Sequence, residues 1–431
     1  MQKDSLEFKS RKVISQEQLK GLREVVRYVA KNSAFYKKAI RVKHNDIKSL
    51  DDLSKLPITS KEDLQKYNRS FFCVPQKGIA EIVSTTGTTG EFVFVALTKE
   101  DLQRLALNEV YSFTCAGAAK QDTFHIAVTL DNLFMAGMAY YSGIVQLGAT
   151  AYRAGMHNIK KHIFLIEKLK PTGIVTVPSF LLQLCKGIKE EGIDPSSLSI
   201  KKALLVGESI RDKDFKLSGI GDLIRKHWPL ELYSTFGNTE AAISFCECKY
   251  HMGAHEHSDL IISEILDDDA NTVKDGEAGE LVLTTLQTQG MPLLRYRTGD
   301  ITFKITEKCK CGRNSSRIGP ILGRKAQMIK YKGTKLYPRL IENAIAHVDK
   351  AHNYVIEVFT GDDFSDKIIV KIGCDRQTEE LRKSVCAHIE AYARVTPEVE
   401  LLSIGEVEML RTDNGRHRKP RTFIDHRTKS E

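Results

Sequence analysis

The spacing of apolar positions divides the chain into stretches of different period. Residues 12–66 carry them three and four apart, as in "QEQLKGLREVVRYVAKNSAFY", which predicts helices. From residue 124 short β-rich runs alternate with amphipathic stretches. "FHIAVTL", "GIVTV", "KKALLVGES" and "LELYSTFG" read as strands; "HNIKKHIFLIEKLK", "SFLLQLCKGIKEEG" and "RDKDFKLSGIGDLIRKHW" between them read as helices. Such alternation argues for α/β layers around a mostly parallel sheet. Over residues 256–305, "SDLIISEILD", "GELVLTTL" and "DITFKIT" are strand-like with turn residues between them, which predicts an antiparallel subdomain. Beyond "GPILGRK" a small unit is expected. Its helices are "PRLIENAIAHV" and "TEELRKSVCAHIEAYARV", and its strands are "YVIEVFT", "DKIIVKIG" and "EVELLSIG". The expected fold class is α/β. A large N-terminal domain (1–322) has mostly parallel sheets plus an antiparallel β subdomain, and a small α+β C-terminal domain (323–431) follows a boundary at Gly323–Arg324.

Composition narrows the class. A chain of 431 residues is long enough for two or three domains with a sizeable core. Apolar residues make up 42% and charged residues 28%, a globular balance and not a disordered one. No run reaches the roughly 18 apolar residues of a membrane helix. The opening "MQKDSLEFKSRKVISQEQLKGL" lacks an apolar signal region, so the expected address is cytoplasmic. Nine cysteines in so long a chain do not make a disulfide framework. Cys73, Cys115, Cys185, Cys374 and Cys386 are scattered, whereas Cys246 with Cys248 and Cys309 with Cys311 form C-x-C pairs. The net charge of +9 suits a polyanionic partner, either nucleic acid or a small ligand such as a nucleotide. Part of it sits in "RTDNGRHRKPRTFIDHRTK", which alone reads as a solvated basic tail.

Three stretches carry candidate chemistry. "STTGTTG" comprises Ser84, Thr85, Thr86, Gly87, Thr88, Thr89 and Gly90, between two β-rich runs. Glu91 follows where a Walker loop needs lysine, which excludes that motif. What remains is a turn of hydroxyls and backbone N–H groups that suits an anion. Taken alone, it reads equally well as a linker. "LYSTFGNTE" ends a strand on a turn and Glu240, an acidic residue suited to a magnesium ion beside a nucleotide. "LLRYRTGD" places Asp300 after a Thr-Gly turn, where a carboxylate can grip ribose hydroxyls.

In this order, and with "CKCGR" and "ILGRKAQMIKYKGTKLYP", these stretches resemble the adenylate-forming superfamily of acyl-CoA synthetases. More closely, they resemble the phenylacetate–coenzyme A ligase family, from about residue 30 to about residue 427. The resemblance implies that the loop Thr85–Gly90, entered through Ser84, holds the β- and γ-phosphates of ATP. Gly207, Glu208 and Ser209 of "VGES" would pack on adenine, and Phe236, followed by Gly237 and Asn238, would flank the base. Thr239 would contact the α-phosphate, Glu240 would bind Mg²⁺, and Asp300 would bind both ribose hydroxyls, with Arg324 nearby at a hinge. "DNLFMAGMAYYSG" (Asp131–Gly143) would line the acyl pocket, with "VPSF" as the opposite wall. Counting back from "FIDHR" makes Lys419 the C-terminal catalytic cation; aligning on the glycine before it selects Arg416. Two departures stand out: Lys325, Ala326 and Gln327 occupy the place of paired acidic residues, and Glu91 that of a lysine.

The implied reaction is ATP-dependent activation of an aryl or arylacetic carboxylic acid to an acyl-adenylate. Transfer to coenzyme A follows, with the small domain mobile between the steps. The C-x-C pairs by themselves leave metal and free thiols equally open. The resemblance selects Cys248, His255, Cys309 and Cys311 for a structural zinc within about 245–312, and omits Cys246. The plainer reading has free thiols, with His251 and His257 solvated. Expected partners are the acid, ATP and coenzyme A, with no membrane and no nucleic acid; a homodimer is neither required nor excluded. Two alternatives stand. One changes the acceptor to a carrier protein, an amine or a hydroxyl. The other is a zinc-stabilised nucleic-acid-binding protein, which leaves "FGNTE" and "RYRTGD" unexplained.

Overall fold

The computed structural model describes residues 5–85, 92–331, 334–361, 365–413 and 421–427. The chain divides into two compact units, Met1–Leu217 with Gly221–Ile321, and Ser218–Ile220 with Leu322–Glu431. In the first unit the α/β alternation folds into a nine-stranded sheet. One side of it is parallel, in the spatial order Thr150–Arg153, Thr123–Ala127, Gly173–Thr176, Lys202–Val206 and Glu231–Asn238. The other side continues antiparallel through Ile243–Glu247, Ala254–His255, Arg317–Ile318 and Lys304–Ile305. Gly173–Thr176 is buried at every position. An interior parallel strand is covered on both faces, and this is why "GIVTV" is a continuous apolar run. A second sheet, Ile261–Leu266, Gly279–Thr285 and Tyr296–Thr302, is antiparallel, as the turn-rich pattern predicts.

Two helices position the site. Lys99–Cys115 starts with a capping box between Thr98 and Asp101. The Asp101 carboxylate also accepts from Gln289 N (2.7 Å) and Gly290 N (2.8 Å), fixing the helix start to a distant loop. Met135–Leu147 crosses it so closely that a Cβ on Gly143 would lie 2.3 Å from the Glu109 Cβ, an approach only glycine allows. Helix Arg11–Asn32 buries Ile14, Leu22, Val25, Val26 and Val29 on one face. Most of that face joins the cluster holding Leu286, Leu293 and Leu294.

Residues 12–66 are less helical than their spacing predicts. Helices occupy Arg11–Asn32, Ala34–Ala39 and Lys61–Tyr67, with short 3-10 turns between. The helix expected across "RDKDFKLSGIGDLIRKHW" is confined to Gly219–His227. Upstream, Asp212 Oδ1 accepts from Asp214 N and Lys216 N, each at 2.9 Å. Phe215 there adopts φ +63°. An aspartate that captures nearby backbone donors favours a turn over a helix.

In the second unit, Asp366–Gly373 pairs antiparallel with Asn353–Thr360 and parallel with Glu398–Leu402. Ile341, Val358, Val370, Val385 and Ile389 form part of its core. Helix Ile404–Thr412 and strand Phe423–Asp425 lie beyond the predicted elements, the strand being too short to show a period. Among the described residues no helix is long and apolar enough to cross a membrane.

Candidate active site and metal centre

The carboxyl ends of the parallel strands carry the predicted nucleotide residues Gly207–Ser209 and Phe236–Glu240. Val206 pairs with Thr235, so Gly207, just past the end of its strand, lies level with Phe236 on the next. Open α/β sheets bind ligands at such strand ends. Gly207 has φ +83°, a conformation in which a side chain would be strained. Glu208 accepts from Ser179 N (3.0 Å) and Ser179 Oγ (2.7 Å), which sets "VPSF" beside "VGES". The Ser209 hydroxyl donates to Arg211 O at 3.2 Å. Phe236 is half-buried and packs on Phe245, with ring centroids 5.8 Å apart.

Between Glu231–Asn238 and Ile243–Glu247 the chain makes a tight hairpin, with Gly237 opposite Ser244. Asn238 Oδ1 accepts from Ala241 N (2.9 Å), and Thr239 O accepts from Ala242 N (3.1 Å). Glu240 in this turn is only 7% exposed. Among the described residues its carboxylate receives neither a hydrogen bond nor an ion pair. A nearly buried carboxylate without a donor favours a cation at its free oxygens.

The predicted acyl segment reaches the same strand. Tyr140 Oη lies 3.4 Å from Thr235 Oγ1. The Ser84 N–H donates to Leu133 O (3.0 Å) and the Thr85 N–H to Val93 O (3.1 Å), so the start of the Gly/Thr loop adjoins that segment. The Thr85 hydroxyl is buried with no hydrogen-bond partner among the described residues. Thr86, Gly87, Thr88, Thr89, Gly90 and Glu91 lie outside the described residues, as do Arg416 and Lys419. Asp300 is 6% exposed on the antiparallel sheet. Its N–H donates to Thr298 Oγ1 at 3.1 Å, after Gly299 with φ +76°. Arg324 belongs to the second unit, where it is exposed and opens the short turn Lys325–Gln327.

The other cluster joins Cys248, His255, Cys309 and Cys311, whose ligand atoms all lie within 4.8 Å of one another. Cys248 Sγ is 3.6 Å from Cys309 Sγ, and Cys311 Sγ is 3.5 Å from His255 Nε2. Tetrahedral zinc with ordinary bond lengths needs S···S of about 3.8 Å and S···N of about 3.6 Å. The donor set therefore fits a closed Cys₃His shell. Cys246 stands outside it, fully buried in the apolar cluster with Val206 and Tyr233. Of the two other histidines, His257 is not solvated, contrary to the plainer reading, and His251 is partly exposed. His257 is fully buried, with Nδ1 2.7 Å from Glu7 Oε1 and Nε2 3.1 Å from Ser112 Oγ. His251 is half-buried between Glu247 (3.4 Å) and Glu231 (3.6 Å). Glu7 gave no sequence signal, and Arg313, though it ends "CKCGR", was given no role, because their ion pair spans 306 positions.

The family model described as AMP-binding enzyme matches residues 21–289, and the one described as AMP-binding enzyme C-terminal domain matches 333–427. The chain is 28% identical to the phenylacetate-coenzyme A ligase of Thermus thermophilus, over 97% of this chain and 98% of the relative. It is 30% identical to that of Aromatoleum evansii, over 89% of each. A solved 2-hydroxyisobutyryl-CoA ligase in the postadenylation state, complexed with R3-HIB-AMP, superposes with TM-score 0.86 at 20% identity, covering 97% of this chain and 91% of that one. The match of both family models and the identity to the curated relatives make this chain a member of the AMP-binding enzymes, in the phenylacetate–coenzyme A ligase family.

Proposed function

We propose that this chain activates an aryl or arylacetic carboxylate with ATP and passes the acyl group to coenzyme A. The observation that carries the reading is Glu240: a nearly buried carboxylate that receives no donor among the described residues, in a hairpin at the ends of the parallel strands. In the first step a carboxylate oxygen attacks the α-phosphorus and pyrophosphate departs. Both reactants are anions, so the protein's task is positioning and charge neutralisation more than proton transfer. Thr239 and Glu240 face the α-phosphate, the Gly/Thr loop from Ser84 holds the leaving pyrophosphate, and Phe236 with Gly207–Ser209 seats adenine. Asp300 takes the ribose hydroxyls, and Lys419 supplies the cation at the α-phosphate. A magnesium ion held at Glu240 would add positive charge at the phosphates. In the second step the thiolate of coenzyme A attacks the acyl carbonyl, and AMP leaves with its electron pair.

We further assign Cys248, His255, Cys309 and Cys311 to a structural zinc. Adenylation needs no open metal position, and the set supplies four ligands. The test is ATP–pyrophosphate exchange across a panel of carboxylic acids, followed by thioester detection with coenzyme A. Exchange with an aryl or arylacetic acid and a coenzyme A thioester is the expected result. Exchange without thioester moves the acceptor to a carrier protein, an amine or a hydroxyl. No exchange with any acid overturns the reading.

A further inference from the structure

We infer that the turn Leu6–Phe8 is a clasp on the metal shell, with Glu7 a positioning residue that acts through the segment Arg313–Ser315. The inference rests on the zinc assignment. Glu7 is 2% exposed, and its carboxylate is fully engaged. Oε2 accepts from Arg313 Nε at 2.7 Å, while Oε1 lies 2.7 Å from His257 Nδ1. Its main-chain carbonyl accepts from Asn314 N (2.7 Å) and Ser315 N (3.3 Å). Asn314 Nδ2 returns a bond to Lys9 O at 2.9 Å, and the Phe8 ring covers the Arg313 guanidinium at 4.9 Å.

The gripped segment touches two of the four ligands. Arg313 Nη1 lies 3.6 Å from Cys311 Sγ, and Ser315 Oγ lies 3.4 Å from His255 Nδ1, on the ring edge opposite the shell. One residue thus braces a thiolate and the other orients an imidazole. Charge gives the arrangement its purpose. Zinc with three thiolates and a neutral histidine carries one net negative charge, which the Arg313 guanidinium offsets, and the Glu7 carboxylate holds that guanidinium in place. Cys311 is the most exposed of the ligands, and it lines a cavity of about 530 Å³ together with Phe8, Cys248 and Arg313. Phe8 and Arg313 therefore stand where a chelator or oxidant would reach the sulfurs. Partners of this kind change metal affinity by about 10- to 100-fold when removed.

The experiment uses the full chain and zinc itself. Zinc per chain is measured by elemental analysis, and its transfer rate to a colorimetric chelator is followed for wild type, Glu7→Gln and Phe8→Ala. Glu7→Gln is expected to release zinc about 10- to 100-fold faster, and Phe8→Ala several-fold faster. Melting temperatures before and after chelation separate clasp from mere packing: a clasp variant narrows the gap between the two, whereas a packing defect lowers both equally. If Glu7→Gln does not fold, Phe8→Ala, which truncates a half-buried ring, carries the test. Release at the wild-type rate from a zinc-loaded variant, or an equal drop in both melting temperatures, overturns the clasp alone. Wild-type chain purified without zinc overturns the zinc assignment and the clasp with it.

Discussion

The Arg104 guanidinium donates to the carbonyl of Ala242 at 2.8 Å, tying the middle of a buried helix to the far end of the Glu240 hairpin. The same group donates through Nε to Leu286 O (2.7 Å) and through Nη2 to Leu260 O (2.6 Å). One side chain therefore closes three buried carbonyls and links the hairpin to the antiparallel sheet that carries Asp300. Burial alone would disfavour the charge, and it pushes the guanidinium down to about 10, with Asp101 and Asp259 opposing.

Arg104→Leu leaves Ala242 O without a donor among the described residues. It also removes one of two donors from Leu260 O, which keeps Leu286 N (2.9 Å), and from Leu286 O, which keeps Thr288 Oγ1 (3.4 Å). One orphaned carbonyl costs about 1–3 kcal/mol and each of the two other lost hydrogen bonds about 0.5–1.5 kcal/mol, so the expected loss is about 2–6 kcal/mol. Urea unfolding of the two proteins measures it. A loss below about 1 kcal/mol would show that water replaces the guanidinium.

Glu240→Gln tests the hairpin's chemistry separately from its stability. Among the described residues nothing donates to the carboxylate, so the amide breaks no hydrogen bond there. Stability should stay within about 1 kcal/mol of wild type. Magnesium-dependent pyrophosphate exchange should fall by about 10²- to 10³-fold, the usual effect of removing one group that faces developing charge. Exchange at the wild-type rate takes Glu240 out of the reaction.

The parallel strands were readable because their apolar runs are set by burial within a few neighbouring positions, and "FGNTE" because a hairpin is a local object. The grip of Arg104 on three carbonyls was not readable, since its partners lie between 138 and 182 positions away and are backbone atoms of any residue type. Glu7 escaped for the same reason: its role exists only once residues 7, 257 and 313 meet. Residues 211–217 misled in the opposite sense. Their composition permits a helix, but the Asp212 side chain satisfies the backbone donors first.

Glu109 gives stability a pH dependence. Its Oε1 accepts from Ser244 Oγ (2.8 Å) and Asn108 Nδ2 (3.2 Å), while Oε2 is buried without a partner among the described residues. Burial pushes its carboxyl up to about 7 against those hydrogen bonds. The folded chain thus holds a proton that the unfolded chain releases above about 4.5. Its contribution is complete below that value and declines as pH rises to about 7, by at most on the order of 3 kcal/mol. Glu109→Gln should flatten this part of the profile between pH 5 and 7. An unchanged slope would mean that Glu109 is already ionised in the folded state.

A buried histidine pair acts in the opposite direction. The His157 N–H donates to His162 Nε2 at 3.3 Å, which makes that nitrogen an acceptor. His162 must then carry its proton on Nδ1 and donate it to His125 Nε2 at 2.8 Å, leaving His125 Nδ1–H for Tyr152 Oη at 2.8 Å. The chain of donors is consistent only with both rings neutral. Burial holds His125 down to about 3 and His162 down to about 4. Unfolded histidines take up protons below about 6.5, so this contribution is present above that pH and is lost as pH falls toward 4. Two such protons give a slope of up to about 2.7 kcal/mol per pH unit. His162→Gln should remove about one proton of that slope in urea titrations at pH 6.5, 5.5 and 4.5. If it keeps the wild-type slope, the acid sensitivity lies elsewhere in the chain.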